Sequence, residues 1–107
     1  MFYLEKTVSI SAAHHLENYD GPCSNVHGHN WKITVYAKGD ELNNIGMLID
    51  FRKIKEIVNI LDHQDINEVV DFNPTAENIA RYICEKDDLF YKVKVEESEG
   101  SIINYEK

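Results

Sequence analysis

Apolar and polar residues alternate along several stretches of the chain, and the clearest begins at Thr7. Val8, Ile10 and Ala12 share one phase, and the next residue in that phase is His14. Successive side chains of a strand point to opposite faces, so the pattern predicts a strand over residues 2–14 whose buried row ends on an imidazole. His15 falls in the polar phase and is expected in solvent. A second run over 27–38 carries His27, His29, Trp31, Ile33 and Val35 in one phase, with Lys32, Thr34 and Lys38 in the other. Between the two runs, Asn18, Asp20, Gly21 and Pro22 make the stretch from Leu16 a turn-rich loop that returns the chain. Antiparallel pairing of the two strands would bring His14 close to His27 and His29.

Gly39-Asp40 ends the second strand, and Asn43-Asn44-Ile45-Gly46 makes a further turn. The period then changes. Asp50 is a good N-cap, and Phe51, Ile54, Ile57, Val58 and Leu61 recur at helical spacing opposite Arg52, Lys53, Lys55, Glu56 and Asn59. That helix ends near Leu61-Asp62-His63, and residues 64–73 read as irregular, with Ile66, Val69 and Val70 tucked inward. Thr75 caps a second helix whose apolar side is Ala76, Ile79, Ala80 and Ile83, and Glu77 in its first turn suits the helix dipole. Strand alternation resumes over 89–97, with Leu89, Tyr91, Val93 and Val95 in the apolar phase and Glu97 next in it. Glu99-Gly100 turns the chain into a short last strand over 102–105. The order of elements predicts an α+β domain, a four-stranded antiparallel sheet with two helices on one face.

Length and charge narrow the function. The 107 residues make a single domain, 1–107, and 43% hydrophobic content is that of a folded chain. A formal net charge of −8 argues against a nucleic-acid binder, whose affinity comes from Lys and Arg neutralising phosphates. No stretch approaches the roughly 20 apolar residues needed to cross a bilayer, and no leader pattern opens the chain, so a soluble cytoplasmic protein is expected. Two cysteines are too few for a disulfide framework. Cys84 is in step with the packing side of the second helix. Cys23 lies in a polar loop and is the better candidate for chemistry.

Three neutral imidazoles with one open position form a catalytic zinc arrangement, whereas a closed structural site takes four protein ligands. Cys23 as a fourth ligand would give the structural alternative. Asp62 can orient an imidazole and stabilise its cation, or simply cap a helix end. A carboxylate such as Glu97 at the end of a buried row is costly unless it is paired or meets a ligand.

These segments resemble, in order, the motifs of the 6-pyruvoyl-tetrahydropterin synthase and 6-carboxy-tetrahydropterin synthase family: Ala12-Ala13-His14, Cys23-x-x-x-His27-Gly28-His29, Gly46-Met47-Leu48-Ile49-Asp50-Phe51, Leu61-Asp62-His63, Asn73-Pro74-Thr75-x-Glu77-Asn78 and Val95-Glu96-Glu97-Ser98. The resemblance covers essentially the whole chain. It implies a tunnelling fold, in which three sheets join into a barrel and two trimers stack into a homohexamer. It implies Zn²⁺ on His14, His27 and His29, with 7,8-dihydroneopterin triphosphate as substrate. By the same resemblance Cys23 is the proton acceptor, Asp62 and His63 its partner dyad, and Glu97 the carboxylate that anchors the pterin and joins the proton relay. Thr75 and Glu77 match residues that line the substrate pocket from a neighbouring subunit. The three-residue interval Ser24-Asn25-Val26, without a Glu, matches the carboxy-tetrahydropterin type, which releases acetaldehyde and triphosphate and feeds 7-deazaguanine and queuosine synthesis. The pyruvoyl synthase activity and a non-catalytic, zinc-stabilised pterin-binding protein are the competing readings.

Overall fold

A computed structural model describes residues 1–107. Its elements are β1 (Phe2–His14), β2 (His27–Gly39), α1 (Phe51–Asn59), α2 (Ile66–Val69), α3 (Ala76–Cys84), β3 (Phe90–Ser98) and β4 (Ser101–Glu106), with a single 3-10 turn over Pro22–Ser24. The four strands form one antiparallel sheet in the order β1-β2-β3-β4. The pattern of alternation is realised in the burial. Val8, Ile10 and Ala12 of β1, Trp31, Ile33 and Val35 of β2, and Val93 and Val95 of β3 form one inner face. Against it pack Ile54 and Val58 of α1, Leu61 and Ile66, and Ile79 and Ile83 of α3, each almost wholly removed from water. Burying a side chain of this size contributes about 1.5–3 kcal/mol.

Both long helices begin as their sequences require. Asp50 accepts from the Arg52 amide at 2.8 Å, and Thr75 Oγ1 accepts from the Asn78 amide at 3.1 Å. Residues 64–73 are less irregular than the sequence suggests. Asp65 caps the one-turn helix α2 by accepting from the Asn67 amide, and Ile66 fills the core below it. The helices on the inner face are therefore three rather than two.

Strand β3 departs from the simple alternation. Ala37 pairs with Phe90 while Tyr36 pairs with Lys92, so Tyr91 is an extra, bulged residue. The bulge turns Phe90 into the core in place of Leu89 and Tyr91. Tyr91 joins Tyr3 and Tyr36 instead, with Lys38 and Lys92 set over Tyr91 and Tyr36. A second irregularity falls at Glu97: Glu96 pairs with Ile102 and Ser98 with Ser101, leaving Glu97 between them unpaired.

Candidate metal and proton-transfer site

The inner face of the β1–β2 pair ends in histidines. His14 lies directly opposite His27 in the register, and His29 lies opposite Ala12, so all three imidazoles extend the apolar row. Their ring centroids are 4.6, 4.7 and 5.2 Å apart. Trp31, whose indole donates to the Ala12 carbonyl at 3.1 Å, sets its ring edge-on to His14 and His29 and forms the floor.

Two carbonyls fix how the rings are protonated. His14 Nδ1 is 2.8 Å from the Pro74 carbonyl and His27 Nδ1 is 2.7 Å from the Asn25 carbonyl. A carbonyl only accepts, so each Nδ1 carries the proton and each Nε2 presents a lone pair. Nε2 of His14, His27 and His29 are buried without a hydrogen-bond partner. Buried polar atoms left unpaired are costly, and three of them converging on one point fit a cation. Burial is also the main reason that the His14 pKa lies below its ordinary value, although the Pro74 carbonyl and Glu97 pull the other way. His14 is only 1% exposed.

Ligand atoms of His14, His27, His29 and Glu97 all lie within 4.8 Å of one another. Glu97 Oε1 is 3.1 Å from His29 Nε2. Cys23 is not part of this group; it lies half-buried in the 3-10 turn, its carbonyl accepting from the Leu16 amide at 2.8 Å. The closed arrangement of three histidines and Cys23 is therefore not the one the fold assembles.

Asp62 and His63 lie along the outer edge of β1. Asp62 Oδ1 accepts from the Ser11 amide at 2.9 Å, and Oδ2 is 3.0 Å from His63 Nδ1. The Ser11 amide is the main cause holding the Asp62 carboxyl below the usual carboxylate range. His63 adopts a left-handed backbone at φ 57°, and its amide donates to the Ser11 carbonyl at 2.7 Å. The Ala13 amide donates to the Gln64 carbonyl at 2.9 Å, continuing this seam as an added strand edge. A cleft of about 500 Å³ is lined among others by Ser11, Gly28, His29, Asn30 and His63. A larger concavity of about 650 Å³, beside Phe72 and Arg81, contains none of the candidate residues.

Sequence reasoning treats His15 as solvated. It is half-buried instead, because Asn67 clamps it: Oδ1 accepts from the His15 amide at 2.9 Å and Nδ2 donates to the His15 carbonyl at 3.1 Å. Neither Thr75 nor Glu77 makes a side-chain hydrogen bond to the imidazoles within one protomer. Thr75 caps α3 and Glu77 is exposed in its first turn. What their motif contributes to the cluster is the Pro74 carbonyl. Pro74, Asn25, Ser11 and Asn67 escape sequence reasoning because three of them act through backbone atoms, which every residue carries. Only Asn67, a polar residue beside the buried Ile66, left a side-chain signal.

The fold and the site together define an α+β domain with a half-buried three-imidazole, one-carboxylate centre and a carboxylate–histidine pair at the edge of β1. The chain belongs to the 6-pyruvoyl tetrahydropterin synthase family, whose profile matches residues 3–107. It is 37% identical over 91 residues to the 6-carboxy-5,6,7,8-tetrahydropterin synthase of Bacillus subtilis, a match covering 77% of this chain and 62% of that protein. It is 39% identical over 101 residues to a putative 6-carboxy-5,6,7,8-tetrahydropterin synthase of Archaeoglobus fulgidus, covering 87% of this chain and 85% of that one. Among solved structures, the 6-pyruvoyl tetrahydropterin synthase of Caenorhabditis elegans superposes with a TM-score of 0.77 at 29% identity, covering 99% of this chain and 95% of the other. No helix of the chain is long and apolar enough to cross a membrane.

Proposed function

We propose that the protein is a zinc-dependent lyase that converts 7,8-dihydroneopterin triphosphate to 6-carboxy-5,6,7,8-tetrahydropterin, releasing acetaldehyde and triphosphate. The observation that carries this reading is the convergence of the unpartnered Nε2 atoms of His14, His27 and His29 in a chain of this family. Zinc bound there would acidify the hydroxyl groups of the substrate side chain and stabilise the negative charge that develops as protons leave.

The remaining work falls to the chain's own groups. Cys23, as thiolate, accepts a proton from the substrate side chain. His63, with Nδ1 held by Asp62, is left with Nε2 to take up and return a proton, and the carboxylate stabilises the cation formed. Glu97 accepts two hydrogen bonds from the guanidine-like edge of the pterin, which fixes the ring against the cluster. Thr75, which caps α3, and Glu77, exposed in its first turn, serve the pocket of a neighbouring subunit. This assembly is a cytoplasmic homohexamer in which three sheets join into a barrel and two trimers stack, and its product feeds 7-deazaguanine and queuosine synthesis.

One observation favours a second reading within the family. A putative 6-pyruvoyl tetrahydrobiopterin synthase of Caenorhabditis elegans is 33% identical over 129 residues and is matched over 92% of its length. The two activities differ in product. Anaerobic incubation of zinc-loaded protein with 7,8-dihydroneopterin triphosphate, followed by mass spectrometry of the pterins and a coupled assay for acetaldehyde, separates them. Carboxy-tetrahydropterin with stoichiometric acetaldehyde is the expected result. A pyruvoyl pterin without acetaldehyde moves the assignment to the sister activity, and no turnover by verified zinc-loaded protein leaves a zinc-stabilised binding protein.

A further inference from the structure

We infer that Glu97 is the fourth donor of the metal site in the substrate-free protein, and that it leaves that position when substrate takes hold of it. The inference rests on the reading of His14, His27 and His29 as metal ligands.

The geometry of one contact carries it. Glu97 Oε1 lies 3.1 Å from His29 Nε2, close enough for an ion pair or a hydrogen bond. Yet His29 Nε2 has no hydrogen-bond partner: a proton on that nitrogen would not be aimed at the carboxylate. Two atoms so close without a shared proton are placed as two ligands of one cation are placed. With metal–ligand bonds of about 2.0–2.1 Å in a tetrahedron, neighbouring donors sit about 3.3 Å apart. The carboxylate oxygen and the three imidazole nitrogens all lie within 4.8 Å of one another, a span that one small ion could draw together.

The chain also presents Glu97 deliberately. It follows Val93 and Val95 on the inner face of β3, so its side chain extends a buried row toward the cluster. The irregularity that leaves Glu97 unpaired with β4 is the kind of feature that re-aims a single side chain at the end of a strand. Charge supplies the reason for such a donor. Three neutral imidazoles leave a divalent cation its full charge in a partly desolvated position, and one carboxylate halves that charge.

The same carboxylate is the group proposed above to hold the pterin edge, and it cannot do both at once. Glu97 is thus a placeholder. It closes the centre while the site is empty and frees the fourth position as the pterin arrives. The exchange makes and breaks no covalent bond of the substrate.

A crystal structure of the zinc-loaded, ligand-free wild-type protein tests this directly. A Glu97 oxygen within about 2.2 Å of the zinc is expected; a water in the fourth position with Glu97 beyond hydrogen-bonding range of the ion overturns the inference. Zinc affinity, measured by competition with a chromophoric chelator, provides a second reading. Both E97Q and the charge-retaining E97D should bind zinc about tenfold more weakly or worse, since E97D keeps the charge but withdraws the oxygen. Affinities of both within about twofold of wild type overturn the inference. Wild-type protein that takes up no zinc would instead overturn the three-histidine reading itself.

Discussion

His14 and His63 are both histidines held by β1, and they are built in opposite ways. His14 is buried to 1% exposure, its Nδ1 proton given to a carbonyl, its Nε2 turned inward with nothing to receive. His63 is exposed over 82% of its side chain, and its Nδ1 faces the carboxylate of Asp62. Burial disfavours the His14 cation and outweighs the Pro74 carbonyl and Glu97, which favour it, so the ring is kept as a neutral lone-pair donor. His63 has instead a carboxylate at Nδ1 and most of its ring in solvent. One strand thus holds a buried imidazole on its inner face and an exposed one at its edge, and the acceptor at Nδ1 distinguishes them.

The largest effect should come from breaking the buried side of this contrast. H27A is expected to lower zinc affinity by more than about a hundredfold, beyond what loss of a supporting group alone causes. Metal content after dialysis against chelator reads the change, and far-ultraviolet circular dichroism should remain that of the wild type because His27 lies at the strand end. Retention of stoichiometric zinc by H27A would remove it from the ligand set.

On the exposed side, D62N should leave zinc content unchanged while lowering kcat by about a hundredfold, the scale of one general acid–base group. The same variant sharpens the contrast through pH. The folded Asp62 carboxyl has its pKa depressed below the usual 3.8, chiefly by the Ser11 amide. Its stabilisation is therefore fully present above that value and is lost as pH falls through the lower folded value. Thermal unfolding from pH 7 to pH 2 should show the wild type losing its advantage over D62N on the acid side. A constant offset would mean that the carboxylate is not linked to folding.

N67A should cost about 1–3 kcal/mol in urea unfolding, because the amide and carbonyl of His15 lose their partner in a half-buried place. A destabilisation below about 0.5 kcal/mol would mean that water replaces the clamp at little cost.

The inner row of the sheet was legible from the chain. Two-residue periodicity ran through Val8, Ile10 and Ala12 to His14 and from His27 to Val35, and the register sets these rows side by side. The helix starts at Asp50 and Thr75 were equally legible, because side-chain caps are a residue-type signal. Tyr91, which the alternation places in the apolar phase, lies outside the core. A bulge adds one residue to one strand, and periodicity read along a single segment cannot register a partner's count. The Pro74 and Asn25 carbonyls that fix the imidazoles were illegible for a different reason: a backbone acceptor has no residue-specific signature. Glu97 is legible as a carboxylate closing an apolar phase, whereas its approach to His29 comes from the fold.

The smallest expected effect lies between the two histidine environments, at Gly28. It separates His27 from His29 on the strand and lines the cleft that touches both His29 and His63. A Cβ added there meets nothing closer than the Ala12 carbonyl oxygen at 3.9 Å, an ordinary contact, and its backbone is not in the left-handed region. Within the protomer, then, nothing requires glycine. G28A should fold normally and be unchanged or stabilised by about 0.4–1 kcal/mol, since alanine restricts the unfolded chain more than glycine does. If the bare backbone exists to admit something into the cleft, KM for the pterin substrate or subunit assembly should suffer while stability does not. Urea unfolding, substrate titration and sedimentation of the same G28A sample separate these outcomes. Unaltered kinetics and assembly would make Gly28 a neutral spacer between His27 and His29.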